Sequence, residues 1–599
     1  MSNLKRPLTP TETTDKVAKK TRISKTFAPN KIATAEAAAA VDANLPLAQL
    51  NDVMEKTVKK PQKGDSVVYW MRLADLRIHD NRALSRASEY ATKQDIPLIA
   101  LFVLSPQDYI AHDRSARRVD FTLRNLVILK ESLSKLKIPL HVTSHSPRRN
   151  IPSFVLGWCE TYGARALFAN IEYEVDELRR DIQTCKLAIP KGIQVNLFHN
   201  KCVIEPGVLF TKQGKAYAVY SPYQRNWIAT LNANLPYYLE ECPMPTGNAG
   251  SVRSSEKFAS LFDSPIPETV EGFELEDGDR RKMCEVHPAG EEVAGKLLDV
   301  FLHTKSRSSQ LGAVNPLADG SQKANAQTRI LNYGKDRDRV DKDTTSRLSV
   351  YLSSGVLSVR ECVRATMRMQ KSKKVDGGRD TGIGRWVQEI AWRDFYTNIV
   401  ASFPRVSMGR PYLEKFASVV WENHQAPQES GTGRRGQDSD DAEVVKRWKD
   451  GKTGVPIVDA TMRCINEMGW VHNRVRMITA MYLTKDLMID WRVGERYFMQ
   501  KLIDGDLASN NGGWQWSAST GVDPCPYFRI FNPHTQSGKA DPTGEFIRHW
   551  VPELRPLRGP DLHNPSESAA NKLGYPLPMV IHSEARERAL RRYGNPGEE

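Results

Sequence analysis

From residue 67 the chain alternates short apolar runs with amphipathic stretches. Runs at 67–71, 97–104, 139–143, 164–169 and 193–198 have the texture of strands, and 98–104 reads as a buried one. Between them lie helical stretches near 80–93, 116–137, 150–161 and 176–188. Five strands separated by helices predict a five-stranded, doubly wound parallel sheet, an α/β domain over 65–200. Such a sheet binds ligands beyond the carboxyl ends of its strands. No G-x-G-x-x-G follows the first strand, however, so the pattern does not force a nucleotide site.

Residues 201–292 show few regular periods and many Pro, Gly and Glu, and predict a connector. From 293 to 593 the periodicity is helical and predicts an all-α domain. Residues 425–441 (QAPQESGTGRRGQDSDD) have few apolar positions and predict a disordered surface insert. Residues 1–64, rich in Thr, Ala, Lys and Pro, predict a mostly disordered tail.

Charge sharpens this division. The tail holds 12 Lys/Arg against 6 Asp/Glu, so it carries +6 of the net +14 and the body about +8. A basic body is compatible with nucleic acid. Lys5-Arg6 and Lys19-Lys20 with Arg22 form a bipartite basic pattern, which reads as nuclear import or as a solvated tail; a mitochondrial address stays open. The eight cysteines are scattered without metal-type spacing, which suits a reducing compartment and argues against structural zinc. No apolar run approaches the roughly 20 residues of a membrane helix, and the N-terminus has no signal-peptide core.

Nine of the twelve tryptophans lie between 386 and 550, so the unusual chemistry is expected in the helical half. Trp470, Asn473 and Met477 fall at i, i+3 and i+7, one face of a helix. Downstream, Asp504, Asp506, Asn510 and Asn511 precede Trp514 and Trp516. This reads as a polar functional loop or as a turn within a packed bundle. Asp343-Thr-Thr-Ser-Arg-Leu-Ser349 offers hydroxyl donors and a cation suited to phosphate, or an ordinary N-cap. Glu389 lies between Trp386 and Trp392; it lines an aromatic pocket or pairs with Arg393 along the helix.

The blocks DTTSRLSVYLSSG, RWVQEIAWRDFY, GWVHNRVRMITAMYLTKDLMIDWRVGERYF and DGDLASNNGGWQWSASTGVDPCPYFRIFNP occur in this order. With YWMRLADLRIHDN near 67 they resemble the photolyase/cryptochrome family, from about 67 to 593. Within it they are most similar to class I cyclobutane pyrimidine dimer photolyases of fungal type.

The resemblance implies FAD as cofactor, active in its reduced form FADH⁻. Tyr333, Thr345, Ser346, Arg347, Leu348, Ser349, Trp386, Glu389, Asn473, Arg476, Asp504, Asp506 and Asn510 match cofactor-binding positions. Arg476 and Asp504 would pair beside the flavin ring and Asn510 would face its N5. Glu389, Trp392, Asn473, Met477 and Trp516 match the lesion pocket, and Trp421, Trp491 and Trp514 the tryptophan chain for flavin photoreduction. Arg337, Arg393, Arg474 and Arg529 match positions near the DNA backbone.

The implied activity is blue-light electron transfer from FADH⁻ to a dimer flipped out of double-stranded DNA, which restores two pyrimidines. A fused pyrimidine pair stacks poorly and so is cheap to flip. The implied protein is a monomer without membrane attachment, in the nucleus, with the mitochondrion as a second address. The alternative is a cryptochrome-type photoreceptor that signals through partners without repair. Against it stand Asn510, where cryptochromes have Asp or Cys, and a sequence ending six residues after the match. His112 and Glu177 match an antenna site for 5,10-methenyltetrahydrofolate, although Asp176 and Ser407-Met408 depart from that pattern.

Overall fold

A computed structural model describes residues 32–59, 61–307, 315–318, 322–424 and 443–598. The basic pairs near the N-terminus and the insert at 425–441 lie outside the described residues.

Five parallel strands, β1 (Ser66–Met71), β2 (Leu98–Leu104), β3 (Leu140–Ser144), β4 (Ala164–Asn170) and β5 (Gln194–Phe198), pair in the order β3-β2-β1-β4-β5. Every residue of β1 is buried, as expected of a central strand covered on both faces. The period of two sends alternate side chains to different cores. Val67, Tyr69 and Met71 join a core that continues through Phe301, Trp386 and Phe395 of the helical half. Val68 and Trp70 face the opposite core, with Ile151–Thr161 and Val175–Ala188. The fold class read from the sequence, an α/β sheet domain followed by an all-α half, is the observed one.

Two regions differ from expectation. The tail is not wholly irregular: Ala35–Ala43 and Pro46–Glu55 are helices. Leu47, Leu50 and Val53 bury themselves in the sheet's second core, while Asp42 pairs with Arg405 and Ala33 N–H donates to Met408 O at 2.9 Å. Helices this short are marginal alone, so docking supplies the stability that composition does not reveal. Within 201–292, Tyr220–Ala233 forms a 14-residue helix on the inner core. Its fully buried Trp227 donates from Nε1 to Asp394 at 3.0 Å, a partner 167 residues away that local periodicity cannot signal.

The helical half has a second core of its own, built around Trp421, Trp448, Trp491, Trp514 and Tyr593.

Candidate active site

The long helix Gly382–Ser402 is capped by Thr381, whose side chain accepts from Gly384 N–H, and it runs through the inner core. It carries Trp386 and Glu389 on successive turns. Trp386 (3% exposed) packs against Phe301 at 5.2 Å between ring centroids, and Phe301 meets Tyr333 edge-on at 5.9 Å.

The expected alternative pair, Glu389 with Arg393, does not form. Arg337 donates to Glu389 at 2.5 Å instead. Burial pushes the Glu389 carboxyl up from its ordinary value and Arg337 opposes the rise. Arg337 also lies 3.7 Å from Asp338, and Asp338 pairs with Arg474 at 2.5 Å. This run of ion pairs links Glu389 to the N-terminus of the helix Asn473–Met481, which carries Asn473, Met477 and Arg476. Asn473 Nδ2 is 3.8 Å from Met477 Sδ.

Trp470 does not share that helical face. Gly469, at φ +63°, ends the helix Pro456–Met468, and His472 Nδ1 accepts from Arg474 N–H to start the next. Trp470 thus lies between two helices, where its Nε1 donates to Ser349 Oγ at 3.0 Å and the Arg347 guanidinium sits 4.1 Å from its ring. Thr345 and Ser346 are half-buried, Leu348 is fully buried, and Arg347 adopts φ +57°.

Arg476 donates to both oxygens of Asp504, at 2.8 and 3.3 Å, and to Val471 O at 2.9 Å. Asp506 caps the helix Leu507–Ser517 through Ser509 N–H and pairs with Lys201 at 2.8 Å. Burial raises the Asp506 carboxyl, but Lys201 and Arg393 outweigh it and hold it well below the usual range. Asn510 Nδ2 donates to Glu495 O at 2.9 Å, which fixes the amide's orientation. The same helix approaches Tyr396 so closely at Gly512 that a Cβ there would fall 2.2 Å from the ring.

Trp392 stacks face to face on Tyr220, centroids 3.5 Å apart and planes 7° apart. Trp516 meets Phe531 edge-on at 6.4 Å. Trp421, Trp491 and Trp514 are all buried in the second core. There Trp514 touches Phe498 (4.9 Å) and Trp448 (6.2 Å), and Trp421 meets Tyr593 (6.1 Å).

Of the four arginines expected at the DNA backbone, Arg529 is exposed beside Phe528, which is 62% exposed, and Arg337 and Arg474 are half-buried in the ion-pair run. Arg393 is a correction. Its guanidinium donates inward to Lys201 O (2.5 Å) and Leu352 O (3.2 Å) and lies 3.9 Å from Asp394. Buried carboxylates and two carbonyls outcompete solvent for this cation, so it ties the segment after β5 to the helical half.

His112 and Glu177 come together, Nε2 to Oε1 at 3.1 Å. Burial lowers the His112 pKa, but Glu177 more than offsets this and the net shift is upward. The pair lines a cavity of about 60 Å³ with Trp70, Arg72, Phe102 and Arg180, at the carboxyl ends of β1 and β2. Asp176 is held by Arg148 at 2.9 Å.

A family model described as DNA photolyase matches residues 67–244, and one described as the FAD binding domain of DNA photolyase matches 386–595. The chain belongs to the DNA photolyase family. It is similar to the deoxyribodipyrimidine photo-lyase of Neurospora crassa, 40% identical over 95% of this chain and 88% of that one. It is also similar to the mitochondrial deoxyribodipyrimidine photo-lyase of Saccharomyces cerevisiae, 32% identical over 90% and 89%. Among solved structures it resembles a bacterial class III photolyase from Agrobacterium tumefaciens, with a TM-score of 0.70 and 29% identity over 90% of this chain and 98% of that one.

FAD is the cofactor this family membership brings, and the donor set suits it. Arg476, Arg347, the hydroxyls of Thr345, Ser346 and Ser349 and the amide of Asn510 offer cationic and neutral donors for a pyrophosphate and a polar ring edge.

Sequence reasoning missed Tyr220, Lys201, Asp338 and Glu495. Tyr220 sits in the presumed connector, and each of the four acquires its role through a long-range contact, so no local signal marks it.

Proposed function

We propose that the chain is a deoxyribodipyrimidine photo-lyase, which uses blue light to split cyclobutane pyrimidine dimers flipped out of double-stranded DNA. The observation that carries this is the half-buried carboxyl of Glu389. It is set one turn from the stacked Trp392 and joined by Arg337, Asp338 and Arg474 to Asn473 and Met477. An acid, an amide, a polarisable thioether and flat indoles suit a pair of pyrimidines, whose faces are apolar and whose edges carry carbonyls.

Reduced FAD, when bound, supplies an electron on absorbing light. The protein's part is to bind and orient. Trp392 and Trp516 flank the dimer and exclude water, and Glu389, as the acid, and Asn473 donate to its carbonyls. The Arg476–Asp504 pair and Asn510 place fixed donors beside the ring, and Trp514, Trp491 and Trp421 relay charge away from the flavin through the second core. Arg474 and Arg529 contact phosphates, which position the duplex without reading sequence.

In this reading 293–593 binds FAD and DNA, 65–200 holds a folate antenna at His112 and Glu177, and the monomer works in the nucleus and mitochondrion. Among the described residues no helix is long and apolar enough to cross a membrane.

The test incubates reduced protein with ultraviolet-irradiated oligonucleotide and follows dimer loss in blue light and in darkness. Light-dependent loss is expected. Bound, reducible FAD without repair would favour a photoreceptor and overturn the proposal.

A further inference from the structure

Glu389 is placed to meet the dimer, yet its carboxylate is already engaged. Among the described residues Arg337 is its one hydrogen-bond partner, at 2.5 Å, and the two side chains are 30% and 28% exposed. The pair therefore sits at a mouth that solvent and a ligand can reach. This creates a conflict on binding. A carboxylate has only acceptor lone pairs, and a pyrimidine carbonyl is also an acceptor, so the two repel unless a proton lies between them. Arg337 has a competing destination as well, because a phosphodiester is a permanent anion that accepts from the same guanidinium fork.

We propose that Arg337 is a positioning switch: it pairs with Glu389 in the free protein and moves to a DNA phosphate when the dimer enters, and Glu389 takes up one proton from solvent and meets the dimer as a carboxylic acid. The inference rests on the photo-lyase reading and deepens it. Charge balances at each partner. The guanidinium exchanges a carboxylate for a phosphate, and the carboxylate exchanges a guanidinium for a proton.

The surroundings favour this exchange. Burial already raises the affinity of Glu389 for a proton, and Arg337 is the main group opposing it. The remaining charges nearby are Asp338, which also disfavours ionisation, and Arg385 one turn earlier, whose Nε is committed to Arg379 O at 2.8 Å. Arg474 faces Asp338 rather than Glu389. The other titratable groups that feel Glu389 are the phenols of Tyr333, Tyr220 and Tyr396, and burial keeps each neutral. Among the described residues Arg385 is then the one cation still opposing protonation, and it forms no ion pair with Glu389, so the balance moves toward the acid form.

The test is calorimetric titration of the reduced holoprotein with a dimer-containing duplex, in darkness, near pH 8, in two buffers of different ionisation enthalpy. Binding is expected to take up close to one proton, and affinity to fall by up to tenfold per pH unit above neutrality. Glu389→Gln should bind without proton uptake and with a flat pH profile. Arg337→Ala should take up fewer protons than the wild type, because without the guanidinium its Glu389 holds a proton more readily before DNA binds. The slope of log affinity against log salt should also fall by about one phosphate contact in that variant. Uptake that persists in Glu389→Gln, or a wild-type uptake and salt slope in Arg337→Ala, would overturn the switch. Blue-light repair by the same wild-type preparation separates the two claims. Repair without proton uptake removes the switch alone, whereas binding without repair removes the photo-lyase reading.

Discussion

Replacing Glu495 by glutamine should stabilise the protein at alkaline pH and leave it unchanged in mild acid. Glu495 lies on the helix Trp491–Lys501; its Oε1 accepts from Asn511 Nδ2 at 2.8 Å and its backbone oxygen accepts from Asn510. Burial pushes its carboxyl from 4.5 up to about 7, and the Asn511 bond and Arg492 offset only part of that. In the unfolded chain the proton leaves near 4.5. Between 4.5 and 7 the folded chain therefore holds a proton that the unfolded chain has lost, and stability falls as pH rises through this window. A difference of about 2.5 units at about 1.36 kcal/mol each sets a ceiling near 3.4 kcal/mol, and the group's partial exposure brings the expectation to about 2 kcal/mol. Glutamine keeps the oxygen that accepts from Asn511 and removes the ionisation. Urea unfolding of both proteins at pH 5, 6, 7 and 8, followed by tryptophan fluorescence, should show Glu495→Gln gaining about 2 kcal/mol by pH 8 and little at pH 5. A gain independent of pH, or a loss at pH 8, would refute the reasoning.

Arg476→Ala leaves Asp504, 7% exposed, without its ion-pair partner. The expected cost is about 3–5 kcal/mol, with loss of FAD on gel filtration. In Gly494→Ala the new Cβ falls 2.0 Å from Trp514 Cη2. It should destabilise by about 1–3 kcal/mol and slow photoreduction of oxidised flavin, read by absorbance under blue light. Trp421→Phe should slow the same photoreduction yet repair dimers normally once the flavin is chemically reduced. Leu50→Ala empties a fully buried position under the N-terminal helices. A loss of about 2–5 kcal/mol is expected, with faster proteolysis near 56–64.

The strands of the sheet were legible to within a residue or two, because a buried parallel strand must be a short apolar run wherever it pairs. The residues of the site were legible as types. Glu389 between indoles, the paired aspartates and Asn510 carry chemistry that packing alone does not need, and the order of their blocks pointed to a family. What each of them touches was not legible. Local spacing offered Glu389 a partner at Arg393, and placed Trp470 on a helix that in fact begins three residues later.

The amino-acid sequence by itself determined the architecture and the inventory of reactive side chains, since both follow from periodicity and residue type along the chain; the class of cofactor came only through the resemblance of its motif blocks to a family. Only the tertiary structure decided the pairings: Arg337 with Glu389 across 52 residues, Tyr220 on Trp392, Lys201 on Asp506, and Arg393 turned inward. The physical reason is range. Hydrophobic periodicity reports each element's own buried face, whereas a buried charge takes whichever opposite charge the packed elements bring within about 3 Å.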